Sequence, residues 1–190
     1  TQLQSSAASD VYKRQVSTGA CDWNHYVRYP RNLTIDTGNS ILYASGIYGN
    51  GVVRNLSTNT NINCSWSGNL SGVTRYGSMA VDASGNNFYS INYNRMYRFT
   101  INQSTRCPNT NWSAQWSWGG SYAFGMDNHP SDDSIFYLNN YYAHRVEKIT
   151  INSSKNNIQS RTFAGRCCTG KSTSTNIRMY YPWGVSVDKT

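Results

Sequence analysis

The chain has 190 residues, 17 basic and 9 acidic, for a formal net charge of +8. It is 14% aromatic, with 15 Tyr and 6 Trp, and otherwise rich in Asn, Ser, Thr and Gly. This excludes a mainly helical protein, since no window of about ten residues carries a 3.6-residue apolar period; a membrane span, which needs ~18 apolar residues; and a nucleic-acid stripe, since the basic residues are scattered.

Residues 1–15 differ in texture from the rest and read as a linker or poorly defined N-terminal segment, with repeats expected over 16–190. Thr1 to Gly19 lacks the apolar h-region of a signal peptide, so secretion is inferred from other features.

A first element runs Tyr29-Pro-Arg-Asn-Leu-Thr-Ile-Asp36 and recurs as Arg75-Tyr-Gly-Ser-Met-Ala-Val-Asp82, Gly120-Ser-Tyr-Ala-Phe-Gly-Met-Asp127 and Tyr181-Pro-Trp-Gly-Val-Ser-Val-Asp188. Large apolar residues stand one and three positions before each Asp, with Thr34, Ala80, Gly125 and Ser186 between them. Period two means a strand with one buried face, and the small residues are expected at a crowded place such as the centre of a ring of strands.

Turn-forming residues follow, then an apolar–Tyr pair: Leu42-Tyr43, Phe88-Tyr89 and Phe136-Tyr137. That is a hairpin pattern. A third element follows at Asn50–Arg54, Asn94–Arg98 and His144–Lys148. The closing Asp residues lie 46, 45 and 61 positions apart. A unit of about 45 residues with three or four short strands matches one blade of a β-propeller. The expected fold is therefore all-β, a propeller-like array of blades at about 29–74, 75–119 and 120–180, with the next starting at 181.

Thr162-Phe-Ala-Gly165 followed by Tyr181-Pro-Trp-Gly-Val-Ser-Val-Asp188 resembles the NHL-repeat class of β-propellers over residues 29–188. The resemblance implies a binding scaffold more often than a catalyst. Only the last segment has the full Pro-x-Gly form, and the connectors are longer and richer in Asn and Cys than in that class. Three whole blades fall short of the usual four or more. Either Val16–Tyr29 closes a small ring with the segment near Asp188, or another copy or further sequence completes it. Tyr29-Pro30 and Tyr181-Pro182 stand 152 residues apart in matching contexts, as in a tandem array.

Cys21, Cys64, Cys107, Cys167 and Cys168 are expected one or two to a connector, each connector following a blade's last strand. This reads as disulfide staples rather than a metal cage, because no Cys-x-x-Cys is present. The connectivity is open, and an odd count leaves one thiol free or bonded between chains. Asn-x-Ser/Thr sequons occur at Asn32, Asn55, Asn63, Asn69, Asn102, Asn111 and Asn152. Asn102 and Asn152 share one repeat position and Asn55 lies close to it, so N-linked glycans are expected on exposed turns. Asn32 is the less favourable site, beside a buried strand.

Titratable groups are few. Asp36, Asp82, Asp127 and Asp188 are expected to cap strand ends, Asp132 and Asp133 sit in a loop, and Glu147 is the only glutamate. His25, His129 and His144 occupy different repeat positions, against the metal-holding histidines of NHL-type lyases. Trp112, Trp116 and Trp118 are either blade core or a platform for stacking sugars. No cofactor or enzyme activity is expected. The leading expectation is an extracellular or cell-surface glycosylated module that assembles with copies of itself or neighbouring repeats into a fibre or matrix. Alternatives are a carbohydrate-binding propeller using the Trp cluster, and an NHL-type lyase or hydrolase. No nucleic-acid partner and no membrane span are expected.

Overall fold

A computed structural model describes residues 27, 29–75, 77–120, 122–152, 157–165 and 179–188. Residues 1–15, His25 and the cysteines Cys21, Cys167 and Cys168 lie outside them. Three four-stranded antiparallel sheets form, each a meander with its strands in chain order. The first holds β1 (Pro30–Asp36), β2 (Ile41–Gly46), β3 (Gly51–Asn55) and β4 (Thr60–Ile62). The second holds β5 (Ser78–Val81), β6 (Asn87–Asn92), β7 (Arg95–Thr100) and β8 (Ala114–Ser117). The third holds β9 (Met126–Asn128), β10 (Ile135–Asn140), β11 (Arg145–Ile151) and β12 (Ile158–Ala164). The chain is all-β and propeller-like, as its repeat predicts.

In the first two sheets the Asp at the end of the first strand explains the hairpin that follows. The Asp36 carboxylate accepts from the Asn39 backbone N–H at 3.1 Å and its side-chain amide at 2.8 Å. Asp82 accepts from the backbone N–H groups of Asn86 and Asn87 at 2.9 and 3.0 Å and from the Asn87 side chain at 2.7 Å. These turn caps hold the next strand in register. Asp127 departs from the expectation. One oxygen accepts from the adjacent Asn128 N–H and the other from the Val187 N–H of the fourth repeat, both at 2.9 Å.

The fourth strand of each sheet, β4, β8 or β12, carries no shared sequence pattern. One short helix, α1 (Gly68–Thr74), joins the first sheet to the second. Its seven residues bury Leu70, Val73 and Thr74 at helical spacing. It is too short to show in a ten-residue window.

Two cores lie between successive sheets. Tyr43, Val53, Leu70, Met79, Phe88 and Phe99 pack between the first and second. Ala80, Tyr89, Trp116, Met126, Phe136 and Leu138 pack between the second and third. Alternation along β5 therefore sends Met79 and Val81 back to the first sheet and Ala80 forward to the third. The expectation that the small residue faces a ring centre is corrected at this strand: it faces the next sheet, where large side chains arriving from that sheet leave room only for a methyl group.

Segment 182–188 lies against the loop into β9. The Asn139 side-chain carbonyl accepts from the N–H groups of Phe124 and Gly125 at 2.7 and 2.8 Å, and its amide donates to the Pro182 carbonyl. A Cβ on Gly125 would stand 2.7 Å from the Gly184 Cα, so the two backbones meet where no side chain fits. The described residues do not close a ring.

Candidate functional site

Each meander has two ends. The strand 1–2 and 3–4 turns collect at one, the strand 2–3 turns and the entries to the first strands at the other, roughly 20 Å away along six residues of strand.

The first end carries the carboxylates. Ile35, Asp36, Val81, Asp82, Asn128 and Pro130 help line a cleft of about 60 Å³. Burial pushes the Asp82 carboxyl above the usual range, opposed by the hydrogen bonds from Asn87 and Asn86. Asp132 lies below that range because the Ser134 hydroxyl and N–H both donate to it, at 2.6 and 2.9 Å. Asp133 accepts from the Ser84 N–H at 2.8 Å, tying the third sheet to the second. These carboxylates are engaged in holding turns. Among the described residues, no group of three His, Cys, Asp or Glu side chains could hold a metal. His129 Nδ1 accepts from the Ser131 N–H at this end, whereas His144 Nδ1 accepts from the Tyr181 N–H at the other.

The second end is aromatic. Tyr48, Tyr93 and Tyr142 sit in the three strand 2–3 turns and all are exposed. Phe124 and Trp183 stack with centroids 4.7 Å apart and planes 19° apart. Tyr122 links Tyr93 at 4.9 Å to Tyr142 at 5.4 Å. Its phenol is pushed up, first by desolvation and then by its two Tyr neighbours. Tyr141 lies 4.6 Å from Tyr181, and the buried His144 ring stacks on Tyr180 at 4.9 Å. The Arg31 guanidinium reaches from β1 over the Phe124 ring, 5.8 Å from its centroid. Trp183 is 60% exposed, Tyr142 57% and Tyr180 71%, so the cluster presents ring faces to solvent.

The predicted sugar-stacking residues divide. Trp116 and Trp118 are 7% and 3% exposed and belong to the core between the second and third sheets, so they offer no face to a ligand. The Trp118 indole N–H donates to the Tyr93 carbonyl at 3.0 Å. Trp112 stays partly exposed at the outer edge, packed on Tyr97 at 5.2 Å. The stacking platform over these three residues is therefore corrected: the third sheet covers two of them.

Cys64 and Cys107 form a disulfide with Cα atoms 5.4 Å apart. Cys64 follows β4, but Cys107 lies between β7 and β8, inside the second sheet rather than after its last strand. The expected connector placement is corrected for Cys107, because the long 101–113 excursion precedes the outer strand.

Among the sequons, Asn55, Asn102 and Asn152 occupy the same strand 3–4 turn. The Asn55 side-chain carbonyl accepts from the N–H groups of Ser57 and Thr58, that of Asn102 from Ser104 and Thr105, and that of Asn152 from Asn157. Asn63, Asn69 and Asn111 are exposed in the connectors, with the Asn69 amide donating to Asn111 at 3.1 Å. Asn32 is half-buried and its amide donates to the Thr74 carbonyl at 3.4 Å. Sequence reasoning missed the aromatic end. Its signal is a Tyr in each turn before the third element, where Asn, Gly or Asp is the usual occupant.

No protein-family model and no curated protein matches the sequence. Among solved structures, the chain is similar to a functionally unknown protein from Desulfotomaculum acetoxidans, at 12% identity and a TM-score of 0.57, over 84% of this chain and 46% of that one. It is similar to a candidate 6-phosphogluconolactonase from Bacteroides fragilis, at 9% identity and a TM-score of 0.54, over 84% of this chain and 42% of that one. A third is the β-propeller domain of Cps50 (Swd1) from Myceliophteria thermophila, at 9% identity and a TM-score of 0.47, over 75% and 42%. The chain spans less than half the length of these structures. At such identities the likeness concerns the fold alone, an all-β, propeller-like array of four-stranded sheets.

Proposed function

We propose that this chain is part of an extracellular, N-glycosylated propeller module whose role is interaction rather than catalysis. The observation that carries the reading is the Cys64–Cys107 disulfide, which staples the first sheet to the second. Such bridges persist in oxidising compartments. The shared turn position of Asn55, Asn102 and Asn152 supports it, since Asn102 and Asn152 are exposed there and a hairpin turn can carry a glycan. The NHL-type repeat is the specific form of this reading, with working blade limits of 29–74, 75–119 and 120–180. Intact mass of the secreted protein, before and after deglycosylation and reduction, tests it. Loss of glycan mass and a two-proton gain at Cys64 and Cys107 are expected. An unglycosylated protein with both thiols free overturns it.

A second reading, assembly between copies or with neighbouring repeats, is favoured by an uncovered ring on the last strand. Trp116 of β8 is buried under the third sheet, whereas Phe163 of β12 is 61% exposed and packs on Tyr137 at 4.8 Å. Tyr137 stands where Tyr43 and Tyr89 stand, and those two rings each meet a Phe of the next sheet. A further blade is the partner this face fits. Light scattering across a concentration series tests association, with Phe163→Glu expected to abolish it.

A further inference from the structure

We propose that the aromatic end of the blades is a binding face for an anionic glycan, a chain of uronic or sulfated sugars. The sugar rings would stack on Tyr142, Trp183 and their neighbours, and Arg31 would pair with the acid group. The inference rests on the reading of the chain as an interaction module and names what it would bind.

Folding does not account for the rings at this end. Tyr48, Tyr93 and Tyr142 sit at turn tips, where their side chains add little to either core. Tyr93 does so with φ 54°, a left-handed backbone that favours Gly or Asn over an aromatic residue. Tyr93 and Tyr142, from two separate turns, both meet Tyr122, which lies 6.1 Å from Phe124 of the stacked Phe124–Trp183 pair, while Tyr48 of the third turn packs on Tyr29 at 5.7 Å. A ring of sugar C–H groups is apolar on its faces and polar at its rim. Tyrosine matches it with a π-face for the C–H groups and a hydroxyl for the rim.

The charge distribution selects an acidic sugar. Asp36, Asp82, Asp127, Asp132, Asp133 and Asp188 all belong to the opposite end, at or just beyond the ends of the first strands. Glu147 is 2% exposed and paired with Arg145 at 2.7 Å. Among the described residues, the aromatic end thus carries no accessible carboxylate, while Arg31 stands exposed over Phe124. A planar guanidinium beside stacked rings, with no competing acid, suits a carboxylate or sulfate on a stacked sugar. A cationic ligand would meet the Arg31 guanidinium already seated over the Phe124 ring and repelling it. The sequons of the strand 3–4 turns point from the other end, so glycans carried there leave this face uncovered.

The test is isothermal titration of the purified glycosylated chain with oligogalacturonate and with a sulfated chondroitin oligosaccharide. A neutral galactan oligosaccharide of the same length is the comparison. Binding of at least one acidic probe is expected, at least ten-fold tighter than the neutral one. Tyr142→Ala should weaken it at least ten-fold, and Arg31→Gln should remove most of the preference for acid while leaving neutral binding unchanged. Trp112→Ala, far from this face, should change nothing. Each variant is checked for native near-ultraviolet circular dichroism, and Tyr142→Leu serves if Tyr142→Ala fails to fold. No binding to either acidic probe overturns the inference, as does acidic binding untouched by both Tyr142→Ala and Arg31→Gln, which would place it on scattered basic residues. Binding of protein but not of either glycan would also overturn it. Because the disulfide and glycans are tested separately by mass, failure here leaves the extracellular reading standing.

Discussion

Tyr89 and Phe136 set their ring centroids 4.4 Å apart across the boundary between the second and third sheets. Tyr43 and Phe88 repeat the relationship across the first boundary at 5.7 Å. In each pair the Tyr faces forward from one second strand, and the Phe faces back from the next. Burial pushes both phenols far above their usual range. Phe136→Ala empties a fully buried site and is expected to cost about 3–5 kcal/mol, with Phe136→Leu costing less than half of that. Urea unfolding followed by Tyr and Trp fluorescence reads both.

The Cys64–Cys107 bridge closes a loop with a sequence separation of 43. Restricting the unfolded chain over such a loop is worth about 2–4 kcal/mol. Cys64→Ser with Cys107→Ser should therefore lower stability by that amount and remove the sensitivity of the first boundary to reductant. Denaturation with and without dithiothreitol measures it, and a double variant as stable as the parent would show the bridge to be energetically idle.

Asn139 joins three backbone groups of two different repeats: the N–H groups of Phe124 and Gly125 and the carbonyl of Pro182. Asn139→Ala leaves two N–H donors without this acceptor, at about 1–3 kcal/mol each where water cannot replace it. Faster hydrogen exchange over 181–188, with little change in β5 or β6, is the expected signature.

Asp82 carries a pH dependence of unusual sign. Its folded-state pKa is raised by burial, so the folded protein holds this proton more tightly than the unfolded chain. The stabilisation is present at low pH and is lost as pH rises above about 4 through the folded value. The stability of the parent relative to Asp82→Asn should accordingly fall between acid and neutral pH. Parallel urea titrations at the two ends of that range decide it, and a difference growing in favour of the parent would contradict the assignment.

Gly77 admits no side chain, because a Cβ there would stand 1.2 Å from the Ile91 carbonyl oxygen. That oxygen belongs to backbone, which cannot turn aside as a flexible side chain can. Gly77→Ala is expected to destabilise the second sheet by about 3 kcal/mol or more. Far-ultraviolet circular dichroism on heating would show it, whereas Gly72→Ala, with open space around the added Cβ, should be mild.

The repeat around Asp36, Asp82 and Asp127 was legible because strand alternation and Asp-closed turns are local, each set by a handful of neighbouring residues. It located β1 to β3 and their counterparts. It did not locate β4, β8 and β12, whose sequences share no common pattern, and β8 follows the long 101–113 excursion. It also missed α1, whose two turns are stabilised by burial of Leu70 and Val73 rather than by a long amphipathic pattern.

The sequence by itself determined the all-β class, the period of about 45 residues, the turns that carry Asn55, Asn102 and Asn152, and the scarcity of groups able to do chemistry. Tertiary structure decided that Cys64 pairs with Cys107, that Ala80 faces the next sheet, that Trp116 and Trp118 are covered, and that rings from separate turns gather at one end. Propensity and turn chemistry act over a few residues and are written locally. Burial, by contrast, depends on what a neighbouring sheet, some 45 residues away in the chain, brings against each face.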